Sequence, residues 1–151
     1  VTLDLEDNLP LINLDRYQMQ DVVVNFMVNA RDAMDERFKQ YEGGIMSVIS
    51  RKLKNDSGML IGVIDNGVPI KNGTEENLFD PFFTTKEPGK GTGLGLSVCY
   101  TIIKDHNGFI NFTALSHERK IFYFVLPIDK NKNLASDMEL GDILKQLWGS
   151  I

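Results

Sequence analysis

The sequence predicts an α+β fold, a two-layer α/β sandwich in which helices cover one face of a mixed, mainly antiparallel sheet. Three features lead there. One long helical pattern runs from Asp15 to about Gln40. A second starts among the glycines near residue 93 and ends before Gly108. Around them lie short runs of strand character, at Ile45–Lys54, Met59–Ile64, Gly108–Ala114 and Lys120–Ile128.

Taken in order, Thr2 to Glu6 alternate apolar and polar through Leu3 and Leu5, as a short strand does. Asn8 and Pro10 break it, and Leu11 to Leu14 are expected to form a second short extended piece. Asp15 is placed to cap the first helix, whose Val23, Phe26, Met27, Ala30, Ala33 and Met34 should face the sheet. Gly43 and Gly44 close the helical region, and Asn55 to Gly58 have the composition of a hairpin turn. Met59 to Ile64 are continuously apolar, as in a central strand buried on both faces, and that strand delivers Asp65 and Gly67 at its end. Lys71 to Glu87 read as a polar lid, with one helical turn over Glu75 to Phe79. In the second helix Leu94, Val98, Thr101 and Ile102 form the apolar pattern. The last two strands are joined by a turn at Ser116 to Arg119.

A chain of 151 residues is long enough for one domain with a real core. Sixteen Lys and Arg against twenty-one Asp and Glu leave a net charge of −5, which argues against nucleic acid or an anionic membrane as the main partner. The single cysteine, Cys99, excludes an internal disulfide and falls in the second helix, where a buried thiol is expected. No apolar run approaches the ~20 residues needed to span a bilayer, and no signal-peptide pattern opens the chain, so a cytoplasmic location is expected.

The chemistry concentrates in Leu78 to Gly108. An aromatic anchor of Phe79, Phe82 and Phe83 leads through Thr84, Thr85 and Lys86 to Gly89, Gly91, Gly93 and Gly95, and the helix starts there. Closely spaced glycines let several N–H groups turn toward one point, and a helix N-terminus adds its unpaired amides and positive dipole end. Together they predict an anion site, most simply for a polyphosphate. It is not a P-loop, because Lys90 is followed by Gly91 and not by a hydroxyl residue. Nor is it a dinucleotide fingerprint, because no strand precedes the glycines. Lys86 and Lys90 are either phosphate contacts or solvated surface lysines.

Asn25, Asn29 and Asp32 of the first helix stand at i, i+4 and i+7 and so share one face. An ordinary solvated face is the plain reading, but asparagine is a mediocre helix former with no charge to offer. Its carboxamide oxygen does suit Mg²⁺, which takes few protein ligands. Asp65, at a strand end, is either a turn former or an acceptor for the exocyclic amine of adenine.

The block Phe79-Asp-Pro-Phe-Phe-Thr-Thr-Lys86 followed by Gly91-Thr-Gly-Leu-Gly-Leu-Ser97 resembles the F box and second glycine box of sensor histidine kinases. These kinases share the Bergerat-type ATP-binding fold with gyrase, Hsp90 and MutL, and the likeness is to the nitrogen-sensor type. Asn25-Phe-Met-Val-Asn-Ala-Arg-Asp-Ala-Met34 resembles their N box, and Asp65-Asn-Gly-Val-Pro-Ile70 their first glycine box. The resemblance covers roughly residues 1 to 128 and implies a catalytic domain with ATP and Mg²⁺ as cofactors.

By this resemblance Asn25, Asn29 and Lys86 have catalytic roles, and Asn29 coordinates the metal. The nucleotide would be bound by Asn29, Asp32, Ala33, Asp65, Gly67, Ile70, Phe83, Thr84, Thr85, Lys86, Gly91, Thr92, Gly93, Leu94, Gly95 and Leu96. The gyrase and MutL branches place a catalytic Glu where Asn25 stands, which favours a kinase over a hydrolase. One departure is Pro69, which replaces the second glycine of an Asp-x-Gly-x-Gly pattern and stiffens the entry to the lid. Weakened, not abolished, ATP binding is expected from it.

The implied function is transfer of the ATP γ-phosphate to a histidine on a dimerisation domain that is not part of this chain, so the chain alone should bind ATP without phosphorylating itself. The implied partners are that phosphoacceptor domain and a response regulator receiver domain, with no nucleic acid and no direct membrane contact. The alternatives are an ATPase or serine kinase of the same fold, or a degenerate non-catalytic scaffold. Ser116-His117-Glu118-Arg119 mimics the start of a phosphoacceptor box but lies late, in a hairpin turn. His117 is therefore read as an exposed turn residue, and His106 as a helix C-terminal residue favoured by the dipole. Residues 129–151 form a tail whose Leu134–Trp148 are weakly amphipathic, either a helix packed on the domain, or a docking segment or linker to a further domain.

Overall fold

A computed structural model describes residues 1–38, 42–53, 56–85, 91–129, 134, 141 and 144–145. Among the described residues the elements run in the order β1 (Thr2–Leu5), α1 (Arg16–Arg37), β2 (Met46–Lys52), β3 (Gly58–Asp65), α2 (Gly95–Asp105), β4 (Phe109–Ala114) and β5 (Lys120–Pro127). A single 3-10 turn, Glu75–Asn77, stands between β3 and α2. The sheet order is β1-β2-β3-β5-β4, with β1 parallel to β2 and the other pairs antiparallel. This is the mixed, mainly antiparallel sheet expected from the sequence.

Helix α1 begins where its cap requires. The Asp15 carboxylate accepts from the Tyr17 N–H at 2.9 Å and the Gln18 N–H at 3.1 Å, satisfying two of the donors that a helix start leaves open. Met19, Val22, Phe26, Ala30 and Met34 are buried against the sheet. Val23 and Met27 flank that stripe, half-buried, so the stripe is centred one position away from the expected one. Phe26 packs its ring 5.7 Å from that of Phe122 and 6.1 Å from that of Phe124 on β5.

In α2 the expected stripe is corrected. Val98 is 47% exposed and Thr101 is exposed, while Cys99 and Ile103, one turn apart, are completely buried. Ser97, Cys99 and Ile103 form the buried side of the helix, while Tyr100, Thr101, Lys104 and Asp105 face outward with Val98. Leu11–Leu14 form no strand: Ile12 and Leu14 pack on the core, Leu11 is fully exposed, and Pro10 precedes them. Pro10 has no N–H to offer a ladder.

Alternation along β5 splits the core in two. Phe122, Phe124 and Leu126 face the helices, while Ile121, Tyr123 and Val125 join Ile49, Leu53, Leu60, Ile64 and Leu115 on the opposite face. Leu134 and Leu144 of the tail pack against that second cluster. Leu140, Ile143, Leu147 and Trp148, the other apolar positions of the tail pattern, lie outside the described residues.

His106 ends α2 in a way that differs from a charge at a helix C-terminus. Its Nε2 accepts the Asp15 N–H at 3.2 Å, which leaves the ring proton on Nδ1 to donate to the Ile102 carbonyl at 2.8 Å. The His106 ring therefore ties the end of α2 to the start of α1. His117 is exposed in the β4–β5 turn, as expected.

Candidate functional site

Four segments meet at one end of the sheet, on the face that carries the helices. The first is the end of β3. Asp65 is only 1% exposed, and its Oδ1 accepts the Gly67 N–H at 2.8 Å and the Lys120 ammonium at 2.5 Å. Its Oδ2 is buried and has no partner among the described residues. Burial pushes the Asp65 carboxyl above its ordinary value, and the charge and hydrogen bond of Lys120, with the Gly67 N–H, only partly oppose that. A buried carboxylate oxygen left without a donor costs on the order of 1–3 kcal/mol or more. It is the atom that a donor such as the amine of adenine fits.

The second segment is α1. A Cβ on Gly67 would lie 2.6 Å from the Ala33 Cβ and 2.5 Å from its carbonyl carbon, so the loop after β3 lies directly on the helix. The Val68 N–H donates to the Ala33 carbonyl at 2.9 Å. Asn25 and Asn29, both half-buried, occupy the preceding two turns of the helix. Asp32 is paired with Arg31 at 2.7 Å. The loop is braced from behind as well: Asn66 accepts the Ile45 N–H at 2.7 Å, and Arg37 donates to the Asn66 carbonyl at 2.8 Å.

The third segment is the glycine loop entering α2. A Cβ on Gly95 would meet Asn25 Oδ1 at 2.9 Å, so this carboxamide abuts the first residue of α2. Asn25 is held there by its own Nδ2, which donates to the Asp21 carbonyl at 2.9 Å. Leu94 occupies the cap position of α2, and no side chain caps that end, in contrast to Asp15 at α1. Among the described residues the opening amides of α2 thus lack a side-chain acceptor, as an anion site needs. Thr92 Oγ1 accepts the Leu94 N–H at 3.3 Å, and Gly91 and Leu96 flank the turn, both half-buried.

The fourth is the aromatic segment. Gly93 has φ +65°, and a Cβ there would fall 2.5 Å from the Phe82 carbonyl carbon. The Phe82 N–H donates to the Gly93 carbonyl at 2.9 Å, while the Phe82 ring is 75% exposed. The expected aromatic anchor is therefore corrected. Phe79, stacked 6.1 Å from Tyr100 on α2, and Leu78 hold the segment to the core, and Phe82 contributes its backbone. Phe83 is half-buried, Thr84 and Thr85 are exposed, and Ile70 packs on the main core. Lys86 and Lys90 lie outside the described residues.

The arrangement joins a buried, unpartnered carboxylate oxygen at the end of β3 to an uncapped helix start, with the asparagine face of α1 beside both. Residues 14–130 match the family described as histidine kinase-, DNA gyrase B- and HSP90-like ATPase. The chain belongs to that family. Within this ATPase family its relatives are histidine kinases. It is 35% identical to sporulation kinase E of Bacillus subtilis over 129 residues, 85% of this chain and 16% of that protein. It is also 35% identical to the signal transduction histidine-protein kinase AtoS of Escherichia coli, over 86% of this chain and 20% of that one. The chain thus spans at most a fifth of the length of these two relatives.

Among solved structures, a nucleotide-free catalytic domain of histidine kinase ThkA superposes with a TM-score of 0.69 at 30% identity, covering 84% of this chain and 78% of that one. ThkA in complex with response regulator protein TrrA gives 0.67 at 26% identity, over 87% of this chain and 35% of that one. The chain is thus homologous to the ATP-binding catalytic domains of histidine kinases.

Lys120 was not legible as part of the site from the sequence. Its signal is there in retrospect: a lysine opening an otherwise apolar strand whose hairpin partner and neighbour could be aligned on Asp65.

Proposed function

We propose that this chain is the catalytic domain of a two-component sensor histidine kinase, which binds ATP with Mg²⁺ and delivers the γ-phosphate to a histidine on a separate dimerisation domain. The single observation that carries this reading is the buried, unpartnered Oδ2 of Asp65, on the same side of the sheet as the uncapped start of α2. The adenine amine donates to that oxygen. Gly91, Gly93 and Gly95, with Thr92, Leu94 and Leu96, frame the phosphate end, and Phe83, Thr84 and Thr85 border it from the lid side; Lys86, outside the described residues, is the proposed phosphate-contacting cation. Asp32, Ala33, Gly67 and Ile70 line the nucleoside.

Mg²⁺ neutralises phosphate charge when bound, and Asn29 is its protein ligand. The asparagine face of α1 and the nucleotide's own phosphates would supply the ligands, as suits an ion that takes few protein ligands. Phosphoryl transfer between oxygen and nitrogen asks mostly for positioning and charge stabilisation. Asn25, fixed against Gly95, positions the phosphate end and, as an amide, activates no water. That supports a kinase over a hydrolase. Neither histidine of this chain is read as the acceptor, since His106 is bonded through both ring nitrogens and His117 sits in a hairpin turn.

A response regulator receiver domain is the expected downstream partner, as TrrA is for ThkA in their solved complex. The phosphotransfer takes place in the cytoplasm, and no helix among the described residues is long and apolar enough to cross a membrane.

Calorimetric titration of ADP and a non-hydrolysable ATP analogue, with and without Mg²⁺, tests the reading. Magnesium-dependent binding that Asn29→Ala weakens at least tenfold is the expected result. A folded chain that binds neither nucleotide overturns it.

A further inference from the structure

Asp65 and Lys120 stand directly opposite each other in the antiparallel pairing of β3 with β5, and both point to the helix-covered face. Their side chains are 1% and 9% exposed. The Lys120 ammonium spends one hydrogen on Asp65 Oδ1 at 2.5 Å and one on the Val68 carbonyl at 2.8 Å. An ammonium has three hydrogens. Among the described residues the third has no acceptor, and the neighbouring Asp65 Oδ2 has no donor. A hydrogen-bond donor and an acceptor are thus left over side by side, both in a buried place. The Watson–Crick edge of adenine offers the complement: N1 accepts and the adjacent N6 amine donates.

Resting on the ATP reading above, we propose that Lys120 is a base-reading residue, donating to adenine N1 while Asp65 Oδ2 accepts from N6. Asp65 alone recognises one atom of the base. Lys120 adds a second, charge-assisted contact and fixes the rotation of the ring in its plane. It also binds the site to the lid, because the same ammonium holds the Val68 carbonyl immediately before Pro69. A purely structural lysine, present to neutralise Asp65 and pin Val68, would support the site without sensing which atom stands at position 1 of the base.

The two roles separate by comparing ADP with 1-deaza-ADP, in which a C–H replaces N1, on wild type and on Lys120→Met, with folding checked by circular dichroism. Charged hydrogen bonds of this kind are worth roughly ten- to a hundredfold in affinity. Wild type should prefer ADP by at least tenfold, and Lys120→Met should bind both weakly and with a ratio near one. An equal ratio in the two proteins overturns the proposal. If Lys120→Met does not fold, Lys120→Thr takes its place and should likewise bring the ratio near one; a wild-type ratio near one, or a ratio unchanged in the folded variant, overturns the proposal. Absence of binding of both nucleotides by folded wild type removes the ATP reading itself, and this proposal with it.

Discussion

The backbone of Gly67 lies so close to Ala33 that a methyl group on residue 67 would come within 2.7 Å of three Ala33 atoms, including its carbonyl oxygen. That contact sets the distance between α1 and the loop leaving β3, and so between the asparagine face and Asp65. The Val68 N–H bonded to the Ala33 carbonyl locks it. Gly67→Ala should cost about 1–3 kcal/mol of stability, the usual range for overpacking against backbone. Urea denaturation measures the cost. Calorimetry should show weaker ADP binding at temperatures where the variant is folded, whereas Gly141→Ala, away from the site, should leave ADP binding unchanged, because a Cβ there meets nothing.

The raised carboxyl of Asp65 makes nucleotide affinity depend on pH in a stated direction. A proton on this group removes the acceptor that faces adenine. ADP affinity should therefore fall on acidification, beginning at a pH above the ordinary carboxylate range of about 4. Stability runs the other way. With the folded value above the unfolded one, the contribution of Asp65 is fully present below the unfolded value and is lost as pH rises through the folded value. Asp65→Asn should bind ADP weakly, and without this titration above the ordinary carboxylate range. ADP titrations from that range upward check both curves, and parallel curves for the two proteins would show that another group titrates.

Pro69 sits just beyond a residue held at both backbone groups, since the Val68 N–H meets Ala33 and its carbonyl meets Lys120. Freedom at the entry to the lid is therefore set by residue 69 itself. Pro69→Gly should tighten ADP binding by a few-fold while lowering stability by roughly 0.5–1 kcal/mol through the unfolded chain. Calorimetry and thermal unfolding on the same samples read both effects. Equal affinities would mean that the pinned Val68 already sets the lid entry.

Cys99 is fully buried under α2, and burial pushes its thiol up to about 12. With an ordinary thiol near 8.5, its thiolate fraction at pH 8 falls by roughly a thousandfold. Alkylation should be negligible in the native protein and complete in urea. Rapid labelling of the folded chain would mean that α2 opens locally.

Much of this protein is written locally. Asp15 is an N-cap because a carboxylate can reach the next amides, whatever lies elsewhere. Met59 to Ile64 announce a doubly buried strand by their unbroken apolarity, and Gly91, Gly93 and Gly95 announce a backbone turned on one point. Asn25, Asn29 and Asp32 share a face by helical period alone. Tertiary structure decided the rest. Which side of α2 is buried depends on the sheet beneath it, since Val98 and Cys99 are both apolar and neighbours in sequence. Gly67 is a glycine for its close approach to Ala33, not for a left-handed backbone, and that approach is invisible until α1 is docked. Phe82 looked like an anchor but is exposed and gives its N–H to Gly93, while Phe79 packs against Tyr100. The pairing of Lys120 with Asp65, 55 residues apart, exists only through the register of β3 on β5. Local rules act between neighbours along the chain, whereas register and docking are set by burial summed over the whole sheet, and the chemistry of the site rests on both.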